Sequence, residues 1–182
     1  QGGWLNRQTA YLFADYADKI SRAFGDRVYS YATLNEPFCS SYLGYEAGIH
    51  APGLQSKAGG RQSAHHLLLA HGLALQVLQK NSPQTMNGLV LNFTPCYAQS
   101  DDPADIAAAQ LADDYFNQWY IKPLFDKAYP ACFNRLSAEE QPQIQPGDFD
   151  IIAAPLDYLG INFYTRHVYR ADAQQGFVVV DQ

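Results

Sequence analysis

Asn35 and Glu36 stand side by side at the end of a β-prone run, Val28 to Leu34, and Pro37 follows at once. Proline has no N–H to give a sheet ladder, so pairing must stop there. An acid at the C-terminal end of a strand in an α/β protein sits where such folds keep their chemistry. A carboxyl in that place can give and take a proton, and a neighbouring amide can hold a hydroxyl of a bound molecule. Adjacent strand residues point to opposite faces, so both can meet one ligand only if the strand bulges or ends at this pair. Taken alone, a Glu before a Pro is also an ordinary loop residue.

Two further stretches change that weighting. Gly48-Ile49-His50-Ala51-Pro52-Gly53 lies a dozen residues downstream of Thr33-Leu34-Asn35-Glu36-Pro37, and Asp157-Tyr-Leu-Gly-Ile-Asn-Phe-Tyr-Thr-Arg166 lies near the far end. Together with Gly2-Gly3-Trp4 and His65-His66-Leu67-Leu68-Leu69-Ala70-His71, these ordered motifs resemble glycoside hydrolase family 1 nearly end to end. The resemblance implies a retaining β-glucosidase or β-galactosidase on a (β/α)8 barrel, with this chain covering roughly strands four to six.

Carried over residue by residue, the resemblance makes Glu36 the general acid and base. Such a group must hold a proton near neutral pH, so its surroundings must raise its pKa. Asn35 matches the residue that bonds the sugar 2-hydroxyl, and Tyr164 matches the tyrosine that holds the nucleophilic carboxylate ionised. Asn162 matches an active-site asparagine nearby. Asn92 ends the preceding strand and lines the leaving-group side, which Phe38 and His50 border. Phe38 stands where relatives often carry Trp, so stacking on a sugar or aryl group is weakened. Without the resemblance, a Tyr in an aromatic strand reads simply as core.

The implied nucleophile, a Glu of a later strand segment, is not among these 182 residues. The chain is therefore expected to be the central segment, residues 1–182, of one barrel domain. It needs the remainder of the same barrel as its partner and is inactive by itself. A barrel of this kind takes about 250 residues. The expected substrate is a β-glucoside or a related oligosaccharide or aryl glycoside. A non-catalytic fragment and a 6-phospho-β-glycosidase are the alternatives.

Composition excludes other classes. A net charge of −6 lacks the basic face that nucleic acid requires. No apolar run approaches the roughly 20 residues of a membrane span. Cys39, Cys96 and Cys132 are odd in number and far apart, which reads as buried thiols and favours a cytoplasmic, reducing compartment. His65, His66 and His71 share a helix but none are four apart, so the two-His metal pattern is missing, and no cofactor fingerprint is present.

The positioning elements follow from periodicity. Residues 9–24 predict an amphipathic helix with Leu12, Phe13, Tyr16, Ala17, Ile20, Ala23 and Phe24 on its inward face, stopped by a left-handed Gly25. A long glycine-bearing loop is expected over 38–61, then a helix over 62–80. Asn87-Gly88 predicts a turn before a strand at Leu89–Phe93, and Asp102-Pro103 a capped helix that Pro123 interrupts. Ser137 to Glu140 fits a capping box, and Asp148 a further cap. A strand at Tyr158–Phe163 and a hairpin about Gln174-Gln175-Gly176 complete the chain. Helix and strand alternate, which predicts a three-stranded parallel α/β sheet with open edges.

Overall fold

The computed structural model describes residues 2–181. Three strands, β1 (Ser30–Asn35), β2 (Met86–Phe93) and β4 (Tyr158–Phe163), form a parallel sheet in the order β1-β2-β4. Each new strand adds to the same side of its predecessor, as in a sheet that is winding toward closure. The connections carry α1 (Gln8–Phe24), which enters β1, and α2 (Lys57–Asn81), which leads to β2. A second sheet, β3 (Cys96–Ala98), β5 (His167–Asp172) and β6 (Gly176–Asp181), is built beyond the C-terminal ends of the main strands. Its β5–β6 hairpin turns at the predicted Gln174-Gln175-Gly176 and packs on α3 (Pro103–Asp113). Asp102 caps α3 by accepting from the Ala104 N–H, with Pro103 in the first turn.

The strands divide their faces cleanly. Leu89 and Leu91 turn outward and are fully buried with Leu68, Leu69, Ala64 and Trp119 under the helices. Gly88, Val90 and Asn92 turn inward, in register with Tyr158, Gly160 and Asn162 of β4. This inner face is layered. At the base the Tyr158 ring lies over Gly88, and its hydroxyl donates to the Tyr31 carbonyl 3.0 Å away. Gly160 meets Val90 in the middle, and the asparagines form the top.

A buried ion pair fastens the helical layer. Asp148 accepts from the Arg7 guanidinium, from His65 Nε2 at 2.9 Å and from the Gln145 N–H at 2.8 Å. His65 Nδ1 pairs with the Tyr129 hydroxyl at 2.8 Å. Burial alone would raise the Asp148 carboxyl, but the bonds from Arg7 and His65 outweigh it and hold the group well below the usual carboxylate range. Asp148 is thus a charge partner within α5 (Asp148–Ile152), not the cap that its position predicts.

Several other expectations are corrected. Leu12, Tyr16 and Phe24 of α1 are exposed and Ala23 with them, while Ala10, Ala17 and Ser21 face α2. The apolar stripe is wider than the one neighbour that this chain supplies. Gly25 is right-handed, at φ −59, and is needed for closeness instead: a Cβ there would lie 2.5 Å from both the Ser21 carbonyl and Ser82 Oγ. Residues 38–61 are not all loop, because a π-helix spans Cys39–Glu46 and Ser56 caps α2 from Lys57. Asn87-Gly88 lies inside β2, not in a turn; buried Asn87 bonds to Thr85 while Gly88 makes room for Tyr158. Pro123 sits within α4 (Trp119–Phe125), just after a π turn at Asp114–Gln118 where the regular ladder is already broken. Ser137–Glu140, by contrast, forms the brief turn expected of it, with Glu140 accepting from the Ser137 N–H at 3.0 Å, the reach-back half of a capping box.

The Gly88–Tyr158 layer leads to a direct expectation. Gly88→Ala pushes a methyl into the Tyr158 carbonyl and ring and should cost about 1–3 kcal/mol, the usual penalty of overpacking. Urea unfolding measures it, and an unchanged midpoint would show that the layer yields freely.

Candidate active site

The sheet ends where the chemistry begins. Between Ala32 and Asn35 the register with β2 slips: β1 uses three steps where β2 uses two, from Gly88 to Val90. The bulge expected at this pair is present, and the strand terminates at Asn35. Glu36 then takes a positive φ of 50, a conformation that non-glycine residues seldom adopt. Its N–H still bonds the Val90 carbonyl at 2.9 Å, and a helical turn starts at Pro37. These three departures together turn Asn35 and Glu36 toward the same space.

Asn162 closes that space from the far side. Its amide donates to Glu36 Oε1 at 2.7 Å and to Asn35 Oδ1 at 3.0 Å. Strands β1 and β4 are not neighbours, since β2 runs between them. Strands two apart stand about 10 Å from each other. Asn162 and Glu36 bridge that gap by leaning toward each other over the strand between them. The other carboxylate oxygen, Glu36 Oε2, accepts from the Cys39 thiol at 3.1 Å. Asn35 is exposed and Glu36 half-buried, so the pair is open to a ligand from above.

Beside it lies a cavity of about 390 Å³, lined by Phe38, Tyr42, Ile49, Asn92, Phe116 and His167 among others. Its aromatic wall is rigid. Phe38 stacks on Tyr42 with centroids 5.0 Å apart and meets Phe116 edge-on at 6.1 Å. Behind the wall Ser41 Oγ pairs with the Tyr120 hydroxyl at 2.8 Å. The π-helix is anchored at its end by Glu46, which faces the Arg61 guanidinium at 3.6 Å and accepts from the Tyr115 hydroxyl. Arg61 in turn is sandwiched between Tyr115 and Trp119, 3.5 and 4.2 Å from their centroids.

Of the residues singled out in the sequence, Asn35, Glu36 and Asn162 meet, and Phe38 and Asn92 line the adjoining cavity. Tyr164 and His50 stand apart: Tyr164 is 80% exposed without a hydrogen bond to the cluster, and exposed His50 makes backbone bonds with Leu43 and Gly53. Sequence reasoning missed Cys39 and His167. Cys39 lies three residues past Glu36, a helical spacing hidden by reading the segment as loop. Among the described residues no group of three or more His, Cys, Asp and Glu could hold a metal ion, and no helix is long and apolar enough to cross a membrane.

Residues 1–180 match the profile of glycosyl hydrolase family 1. The chain belongs to that family. Glycosyl hydrolase family 1 is a family of retaining glycosidases, and the parallel sheet described above is part of its (β/α)8 barrel. Among curated members, the β-glucosidase of an Agrobacterium species is 35% identical over 96% of this chain and 38% of its own length. The crystal structure of the AHE enzyme of Alicyclobacillus herbarius superposes on the whole chain with a TM-score of 0.93 at 40% identity, over 42% of its own length. The virulence factor SghA, solved with its substrate analog salicin, superposes with a TM-score of 0.95 at 32% identity, over 41% of its length. The chain thus spans about two fifths of the family members that it matches.

Beneath the family's Thr-Leu-Asn-Glu-Pro stretch, Thr33 Oγ1 bonds His71 Nδ1 at 2.6 Å and ties the end of β1 to α2. Burial pushes the His71 imidazole down to about 4 from an ordinary 6.5. Below pH 6.5 the unfolded chain therefore takes up a proton that the folded chain refuses. The stabilisation is whole above that pH and falls, by up to about 1.4 kcal/mol per pH unit, as pH drops toward 4. His71→Gln should flatten the stability profile over this window, as read by urea midpoints across pH. An unchanged slope would remove His71 from the acid sensitivity.

Proposed function

We propose that this chain is the central part of the catalytic domain of a β-glucosidase-type enzyme that hydrolyses β-glycosidic bonds with retention, and that Glu36 is its general acid and base. The observation that carries the reading is the Glu36 carboxyl, held by the Asn162 amide beside Asn35 at the open end of a parallel sheet. An aromatic-walled cavity adjoins it, of the kind that accepts a sugar or aryl group.

Retention needs a second carboxylate about 5–5.5 Å away across the sugar ring. Among the described residues no second carboxylate joins the Glu36 cluster by a hydrogen bond. The remainder of the barrel supplies the nucleophile in this reading, and the chain alone is inactive. The nucleophile attacks the anomeric carbon as the glycosidic bond breaks, and Glu36 gives its proton to the departing oxygen. Glu36, now a carboxylate, then takes a proton from water as that water's oxygen displaces the nucleophile. Asn35 holds the sugar 2-hydroxyl, a contact that strengthens in the transition state. Exposed Tyr164 is free to meet the nucleophile from the incoming part of the barrel and keep it ionised. Phe38 and Asn92 receive the leaving group, with His50 at its border. A β-glucoside, aryl glycoside or related oligosaccharide is the substrate class, and the salicin bound by SghA supports the aryl case.

Glu36→Ala in the full-length enzyme is the test. Turnover of substrates with poor leaving groups should fall by about 10²–10⁴, the usual worth of acid–base catalysis. Activated aryl glycosides should be spared in the first step, and external azide should restore turnover by replacing water. Equal, unrescued loss on every substrate would refute the role.

A further inference from the structure

We infer that Cys39 is a positioning residue for Glu36, its thiol serving as a hydrogen-bond partner that accommodates both the protonated and the ionised carboxyl. The inference rests on the reading of Glu36 as acid and base.

The two oxygens of Glu36 are held by chemically different groups. Oε1 takes the Asn162 amide at 2.7 Å, and that N–H can only donate. A fixed donor favours the ionised carboxyl, which helps the base half of a cycle and opposes the acid half. Oε2 has the Cys39 sulfur at 3.1 Å. A thiol is a weak donor and a weak acceptor. It can point its S–H at an ionised Oε2 and receive the O–H of a protonated one, so neither state is left without a partner. The backbone enforces the contact: the Cys39 N–H bonds the Glu36 carbonyl at 2.9 Å, at the turn where the π-helix begins.

The thiol keeps its proton throughout. Burial, and after it the bond to Glu36, push it up to about 12. That also makes Cys39 a poor nucleophile, so a redox or covalent role is disfavoured. Of the titratable groups around the pair, Tyr120 is coupled to the Cys39 thiol through charge, without a hydrogen bond to it. Tyr120 of α4 is raised by burial and bonds Ser41, His71 of α2 is taken by Thr33, and Tyr164 past β4 is exposed with no bond to Glu36. The inner face of β2 presents uncharged Val90 and Asn92.

The test compares Cys39→Val and Cys39→Ser in the full-length enzyme, through kcat/KM against pH. A phenyl-type glycoside needs the acid; a dinitrophenyl glycoside does not. For the phenyl substrate the alkaline limb reports the acid's own ionisation. With the donor gone, Cys39→Val should move that limb up by about 0.5–1 pH unit, the effect of losing a weak donor to a charged acceptor. Cys39→Ser, which can donate and accept, should return it toward the parent, and KM should hardly change. An unmoved limb in Cys39→Val overturns the inference, as does a serine variant that behaves like the valine one, since packing alone would then explain the effect. Azide rescue of Glu36→Ala separates the two levels. Rescue with an unmoved limb removes only the role of Cys39, whereas failed rescue removes the reading of Glu36 and this inference with it.

Discussion

A single side-chain amide spans the site. Asn162 reaches from β4, across the whole width of β2, to bond Asn35 at the end of β1 and Glu36 just past it. Everything else in the sheet serves that reach. Small inward residues, Gly88 and Gly160, let the strands bend around Tyr158 and Val90 without a void or a clash. The outward leucines of β2 anchor the same strand to the helices. The concavity that brings the amide to the acid is therefore set by packing on both faces of one central strand.

The acid itself is delivered by broken regularity. A continuous strand would send Asn35 and Glu36 to opposite faces. The slipped register, the left-handed Glu36 and the helical turn from Pro37 each cost something locally, and together they aim two polar side chains one way. The same device recurs at the cavity wall. Two π-helical stretches, Cys39–Glu46 and Asp114–Gln118, face each other through Tyr42, Tyr115 and Phe116. Widened helical turns of this kind are frequent at functional sites because they re-aim side chains that a regular ladder would bury. Arg61, stacked between two rings and paired with Glu46, holds the two stretches together.

How much of this was legible depended on the range of the interactions. The C-terminal ends of β2 and β4, the Asp102-Pro103 cap and the β5–β6 hairpin follow from local chemistry, and sequence reading finds them, whereas β1 and β2 begin at Ser30 and Met86 and not at Val28 and Leu89. The Asn35–Glu36 bulge was also legible, because the side-chain period of a strand is a strict rule and the pair violates it. Asn87-Gly88 misled because its turn chemistry is real, yet Gly88 answers to a ring from β4 seventy positions away. The glycines of 38–61 likewise hid a helix whose last residue, Glu46, is held by Arg61 and Tyr115 from outside the helix. Asp148 looked like a cap because its partner, Arg7, lies 141 residues earlier. The stripe on α1 was read as one buried face, but only part of it has a neighbour among the described residues. Glu36, Asn35 and Asn162, which motif resemblance singled out, meet in the structure; the resemblance could not show that Cys39 joins them, because that contact depends on a helix that the sequence concealed.

The bridge from Asn162 to Glu36 also works as a gauge. Its ends hang from strands that do not touch, so its length tracks the bend of the sheet and not the integrity of any one strand. A slight flattening would part the amide from the acid while every ladder bond stayed intact. The hold of Asn162 on the Glu36 carboxyl in such an architecture belongs to the curvature, and can be tuned or lost by residues that never approach the carboxyl.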